Sequence, residues 1–362
     1  MSKKPNFFTV KELDQISKDA DYTLLAGARN NGKSYAVKSR CIQDAYNNIK
    51  DGFCKRQIGY IRRFSLDCKD SKCEPYFADM PVQELTNNEY THITVFRKDI
   101  YFSRYEDEKI VRKVKIGHCF SVAGAEHEKS LMYPDIANLI YEEIVSESSN
   151  YLYREPWSLM NLISSIIRSR SDAKVFLIGN LLSRDCVYDD EWNLNIDSLD
   201  FGESNVIKFN NDDESETVLV VYKTRPIDYA GSKMFFGHAR KNIVKGEYVT
   251  DIYPIINKNI RHYKIIYKMV MEYNKLKYLM YFFYNKEYKT HMWYIEPLTT
   301  DIKPDARLIT NQQKTGKKIT NKFTPLSEGE RKIFAYLFDK TKVCFSDNLT
   351  GTEFYNFIDK FK

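Results

Sequence analysis

The stretch Tyr22 to Val37, YTLLAGARNNGKSYAV, constrains the fold more than any other part of the chain. An apolar run that stops at a glycine reads as a buried strand running into a tight loop. Gly32-Lys33-Ser34 then open a segment whose apolar side, Val37, Cys41 and Ala45, repeats at helical spacing. Strand, glycine loop and helix in that order form half of a strand–helix–strand unit, and such units build parallel sheets. Ile58 to Ile61, "NLIY" from Asn138 and "KVFLIGN" from Lys174 to Asn180 supply further buried strands, and "TVLVVYK" one more. Between the second and third of these, apolar residues at 159, 162, 163, 166 and 167 mark one helix face. The first half therefore reads as α/β with a mainly parallel sheet.

Gly27 to Ser34 also fits G-x-x-x-x-G-K-[ST]. Glycines let the backbone curl until its N–H groups converge on phosphate oxygens, and the helix turns its positive end toward the same charge. Gly27, Arg29, Asn30, Asn31, Gly32, Lys33 and Ser34 are the expected ATP cradle, with Lys33 on the β and γ phosphates and Ser34 on Mg²⁺. "NLIYEEIVSE" carries acids at the end of a buried strand, where such a site needs them. Glu142 is expected to hold Mg²⁺ through water, although an aspartate usually stands there. Glu143 is expected to orient or deprotonate the attacking water. Asn180, ending its own strand, is a candidate γ-phosphate sensor; a strand-end Asn is also a common turn former.

Composition enters as a limit. A chain of 362 residues exceeds one ordinary core, so two or more domains are expected. A net charge of +6 tolerates a nucleic-acid partner without demanding one. Seven cysteines in no CxxC box read as reduced cytosolic thiols. The N-terminus lacks a leader-like apolar core, and no apolar run is long enough to span a bilayer, so no membrane partner is expected. The texture changes near residue 225 and again near 265. The expected domains are 1–225 for the nucleotide fold, 226–265 for a basic linker or lid, and 266–362 for an α+β domain. In the last, "LSEGERKIFAYLF" is a helix opened by a capping box of Ser327 and Glu330.

"IIRSRSDAK" sets Arg168 and Arg170 just past the amphipathic helix. Arginine suits a finger reaching a neighbour's γ-phosphate; the same residues equally neutralise a helix C-terminus. The elements "AGARNNGKSYAVK", "IGYIRRF", "EKSLMYPDIANLIYEEIV", "IIRSRSDAKVFLIGN" and "SLDF", in that order, resemble the genome-packaging ATPases of phi-29-type phages, compact relatives of the large terminases. The resemblance spans most of the first 240 residues. It implies an ASCE-type P-loop ATPase, a homopentameric ring that pushes double-stranded DNA into an empty capsid. It places that ring at the capsid portal in the host cytoplasm, with a structural RNA as a further partner of the phi-29 type. By position it makes Lys129 and Arg168 trans-acting catalytic residues, with Arg170 in reserve, and gives Arg29 a role in coupling subunits or sensing nucleotide. On residues alone, Lys129 is a surface lysine. Another P-loop ring ATPase, such as a helicase or remodelling ATPase, is the alternative; the absence of a second P-loop in the second half counts against the two-core type of helicase.

The resemblance also implies a C-terminal RNase H-like domain that has lost nuclease function. Two-metal nucleases carry a carboxylate in the middle of their first strand. Taking "LKYLMYFFY" (276–284) as that strand, no acid is present, and Glu287, Glu296 and Asp301 fall later, so no nuclease activity is expected. Lys314, Lys317, Lys318 and Lys322 around Gly316 form a basic loop suited to sequence-blind phosphate contacts; a solvated loop is the other reading. The loops at 66–74 and 146–156 follow core strands and are candidate pore-lining segments.

Overall fold

The computed structural model describes residues 6–128, 132–146, 150–168, 170–181, 186–211, 215–227, 233–248, 253–256, 260–273, 276–298, 307–310, 319–321 and 327–359. Two compact units result, Met1–Glu247 and Tyr248–Lys362. The boundary falls inside the stretch 226–265 expected as a linker. Helix α8 (Gly237–Lys245), from the middle of that stretch, belongs to the first unit.

The first unit begins with α1 (Val10–Ser17), β1 (Tyr22–Gly27), α2 (Lys33–Asn47), the short hairpin β2 (Ile49–Lys50) and β3 (Phe53–Cys54), and β4 (Gln57–Arg62). It continues through α3 (Asp70–Phe77), α4 (Val82–Leu85), β5 (His92–Phe96), β6 (Asp99–Glu106), β7 (Lys109–Ser121) and α5 (Ala125–Glu128). Then come β8 (Ile136–Glu142), α6 (Glu155–Ile167), β9 (Lys174–Asn180), α7 (Val187–Trp192), β10 (Ser204–Asn210) and β11 (Glu216–Thr224). Among the described residues all of these strands except the β2–β3 hairpin form one sheet, in the order β10-β11-β1-β9-β8-β4-β7-β6-β5. From β11 to β7 every neighbour is parallel, and antiparallel strands close both edges. The fold is thus mixed α/β around a large, mainly parallel sheet.

The apolar runs make the central strands. Leu24 and Leu25 of β1, Leu139 and Ile140 of β8, and Leu177 of β9 have no exposed surface, as expected for strands covered on both faces. Val37, Cys41 and Ala45 of α2 are buried against the same core. Two expectations change. The stretch 66–74 is no open loop after a strand; it holds a 3₁₀ turn (Ser65–Cys68) and the start of α3, with Cys68 and Cys73 buried. The meander β5–β7 has no counterpart in the sequence reading. All seven cysteines are buried free thiols.

The second unit holds β12 (Lys264–Tyr273), β13 (Leu276–Asn285), β14 (Thr290–Pro297), β15 (Arg307–Thr310), β16 (Ile319–Asn321), α9 (Glu328–Ala335), β17 (Val343–Phe345) and α10 (Asn348–Asp359). Its described sheet runs β16-β15-β12-β13-β14-β17. Strands β12, β13 and β14 are antiparallel neighbours, while β15, β16 and β17 pair in parallel. Trp293, Phe345 and Phe354 fill its core, and the Ser327–Glu330 capping box starts α9. The sheet's first strand is β12, not residues 276–284. It carries one acid, Glu272, which is buried. "KIIYKMVMEY" interleaves lysines with apolar residues, so its sequence carries a weaker strand pattern than that of its neighbour. No group of three metal-competent side chains occurs among the described residues.

Candidate functional site

The site lies at the C-terminal ends of the central parallel strands, where the sheet order changes direction around β1 and β9, a place where open α/β sheets open a crevice. A cavity of about 1000 Å³ is lined there by the glycine loop, the first turn of α2, Glu143 and Asn180.

Close packing forces the loop's shape. At Gly27 a Cβ would stand 2.0 Å from Thr224 Oγ1, so only hydrogen fits as β1 passes β11. Gly32 sits at φ +96°, a left-handed conformation that L side chains rarely adopt. Asn30 is also left-handed, at φ 56°. Asn31 is buried and ties the loop to β11, its Nδ2 donating to Thr224 Oγ1 at 2.6 Å and to the Arg225 carbonyl at 3.3 Å.

Lys33 is buried, and its Nζ donates to the Ala28 carbonyl (2.6 Å) and to Asn180 Oδ1 (2.8 Å). The strand-end Asn180 therefore touches the motif lysine. Burial pushes the Lys33 ammonium down to about 8, against the pull of Glu142 and helped by Arg29. Ser34 and Arg29 line the same cavity.

The two acids part ways. Glu142 ends β8 and accepts a hydrogen bond from the Tyr76 phenol at 2.8 Å. Tyr76 stacks on Tyr60 with ring centroids 4.2 Å apart, and burial followed by the nearby Glu142 charge holds its phenol well above the usual range. The Ser34 hydroxyl and the Glu142 carboxylate are hard oxygen donors of the kind Mg²⁺ takes with phosphate and water, so these residues fit that ion. Glu143 reaches the cavity instead. Its backbone is left-handed at φ 61°, and its exposed carboxylate pairs with Arg62 NH2 at 2.8 Å.

Sequence reading passed over the support behind Glu143. Arg63, just past β4, donates from NH2 to the Glu143 carbonyl (2.9 Å) and the Ile144 carbonyl (3.3 Å). Its Nε meets both oxygens of Glu155, at 3.0 and 2.9 Å. Glu155 has no exposed surface and also accepts from the Tyr141 and Tyr188 phenols, each at 2.8 Å. "IRRF" signals two cations after a strand, but no spacing links Arg63 to an acid 92 residues on. Asn242 of α8 was missed as well. Its Nδ2 donates to the Leu181 carbonyl, one residue after Asn180, at 3.1 Å.

The arginines also separate. Arg170 gives its guanidinium to the carbonyls of Ile166, Ile167 and Tyr133, at 3.2 to 3.3 Å, and so caps the end of α6. Arg168 is exposed, with a positive φ of 54°. Helix α6 joins two parallel neighbours, β8 and β9, so it runs back to the N-terminal edge of the sheet. That puts Arg168 a strand length, roughly 20 Å, from this chain's own glycine loop. Lys129, Lys314, Lys317, Lys318, Lys322 and Asp301 lie outside the described residues.

A mainly parallel α/β sheet with a glycine-loop cavity at its strand ends and acids on the strand two positions away defines the class of protein. The chain belongs to the podovirus DNA encapsidation protein (Gp16) family, whose sequence profile matches residues 3–320. It is 28% identical over 171 residues to the DNA packaging protein of Bacillus phage B103, covering 46% of each chain. It is 28% identical over 170 residues to the DNA packaging protein of Bacillus phage phi29, covering 46% of this chain and 45% of that one. The matched stretch spans about half the length of these curated relatives. A chain of the bacteriophage Phi-29 viral genome packaging motor assembly shares the fold at a TM-score of 0.55 and 18% identity, covering 98% of this chain and 99% of that one. No helix among the described residues is long and apolar enough to cross a membrane.

Proposed function

We propose that this chain is the ATP-hydrolysing subunit of a motor that drives double-stranded DNA into a preformed capsid. One observation carries the reading. Lys33, buried and bonded to Asn180, and Glu143, held out on a left-handed backbone, border the same cavity. A cation for phosphate and a carboxylate for water are the two groups that hydrolysis of a phosphoanhydride needs. In this reading Ser34 and, through water, Glu142 hold Mg²⁺, which would neutralise phosphate charge. The separation of β1 from the acid strand β8 by β9 favours the ASCE type of P-loop ATPase. In the second unit, the pairing of β12 with β13 and β15 supports an RNase H-like domain. Membership of a DNA encapsidation family supports DNA as the cargo; its duplex form and the capsid portal as docking partner belong to this reading through the resemblance.

The position of Arg168 supports a homo-oligomeric ring, pentameric by the resemblance, in which it completes a neighbour's site. Arg168→Ala and Glu143→Gln subunits are each expected to be poor ATPases alone and to regain part of the DNA-stimulated rate when mixed. Mixed rings that regain nothing would remove Arg168 from the site. The same experiment, run with and without duplex DNA, tests the motor reading, because hydrolysis indifferent to DNA argues for another task.

The depressed Lys33 pKa makes a separate prediction. A triphosphate favours the charged ammonium, so binding above about pH 8 must take up a proton that the free protein has lost. The Kd for ATP should hold level from pH 7 to 8 and then rise about tenfold per pH unit. Calorimetric titrations between pH 7 and 9.5 would show this, and a flat profile would mean that Lys33 does not meet the phosphates.

A further inference from the structure

We infer that Phe7 and Tyr35 form a nucleobase subsite beside the glycine loop, holding the base by its faces; the inference rests on the nucleotide reading above. The segment ahead of α1 is strapped across the loop, with Phe8 N donating to the Asn31 carbonyl at 2.9 Å. The strap lies so close that a Cβ on Gly32 would stand 2.8 Å from the Phe8 carbonyl oxygen and 3.2 Å from Phe7 Cβ. Phe8 turns inward, buried, with its ring 5.6 Å from that of Tyr222. Its neighbour Phe7 lines the cavity and remains 41% exposed. Tyr35, on the first turn of α2, lines the same cavity and is 43% exposed.

Single exposed aromatics are ordinary on protein surfaces. These two border one cavity, on either side in sequence of the loop that would hold the phosphates. A nucleotide whose phosphates lie against Gly32 and Lys33 must extend its sugar and base away from the loop, and the strap borders that path. Polar side chains nearby already have partners. The Thr9 hydroxyl bonds Glu12 Oε2 at 2.9 Å, and Asp79 pairs with Lys38. The aromatic faces are what the cavity rim offers to a base, and every nucleobase has a π-face that stacks on an aromatic ring.

Binding of ATP and of inorganic tripolyphosphate to the full chain separates this subsite from the loop. Phe7→Ala and Tyr35→Ala are expected to weaken ATP about tenfold each and to leave tripolyphosphate unchanged, since it has no base to stack. Phe7→Tyr, which keeps the ring, should bind ATP like the wild type. Alanine variants that hold ATP as tightly as the wild type, or that lose tripolyphosphate in parallel, would overturn the subsite. A wild-type protein that binds tripolyphosphate as tightly as ATP would do the same while leaving the phosphate cradle standing. Failure to bind either ligand would instead bring down the nucleotide reading and the subsite with it.

Discussion

Glu143→Gln is expected to bind ATP with near wild-type affinity and to hydrolyse it about 10²- to 10⁴-fold more slowly, the usual contribution of a general base. The amide keeps the shape and a hydrogen-bonding oxygen, so the left-handed turn and the cavity stay as they are. What is lost is the ability to take a proton from water. Glu142→Gln should behave differently, because that carboxylate faces Tyr76 and its change should register as a raised Mg²⁺ requirement. Arg62 gives the control. It holds the Glu143 carboxylate at 2.8 Å, so Arg62→Gln removes the partner and keeps the base. If hydrolysis persists in Arg62→Gln and collapses in Glu143→Gln, the carboxylate itself does the chemistry. Full turnover in Glu143→Gln, measured as phosphate release in a single-turnover experiment, would end its assignment as base.

How much of this was legible in the sequence depends on whether the signal is local. The glycine loop was, because Gly27, Gly32 and Lys33 are fixed by backbone conformation and by one short spacing. The acid strand was, because β8 is buried on both faces and reads as a plain apolar run. The meander β5–β7 was not. Strand β7 is buried only over its second half, and "KIVRKVK" presents mostly solvated residues, so neither a continuous nor an alternating apolar pattern emerges. Arg168 and Arg170, two residues apart, are indistinguishable as text. They part in space because α6 ends at Ile167 and the backbone turns at Arg168, leaving that residue exposed and folding Arg170 back onto the helix carbonyls. The strap over the glycine loop lies in a stretch whose "NFF" carries no motif, and only its contact with Gly32 marks it.

The second large effect is expected at Glu155, which touches no phosphate. It is fully buried, and it faces Arg63, which is nearly so, through two short contacts. Leu152 N donates to Glu155 Oε2 at 2.8 Å, and two phenols share the other oxygen. Removing one partner of a buried pair strands the other charge, at about 3–5 kcal/mol. Glu155→Ala should accordingly lower the melting temperature of the first unit by about 6–20 °C, at about 2–4 °C per kcal/mol for a domain of this size. The loss reaches the site through Arg63, whose NH2 holds the carbonyls of Glu143 and Ile144. A left-handed backbone at a non-glycine residue costs about 1–2 kcal/mol and persists only while its surroundings impose it. Once Arg63 swings free, Glu143 can relax toward an ordinary conformation and leave the cavity. Glu155→Gln separates the two consequences. It keeps the volume and the acceptor oxygen for the phenols, and loses the charge that orients Arg63. It should fold at a temperature between the wild type and Glu155→Ala, bind ATP normally and hydrolyse it slowly. Calorimetric melting together with ATP binding and turnover on the three proteins tests this. A Glu155→Gln protein that melts low yet hydrolyses at the wild-type rate would confine the buried pair to stability.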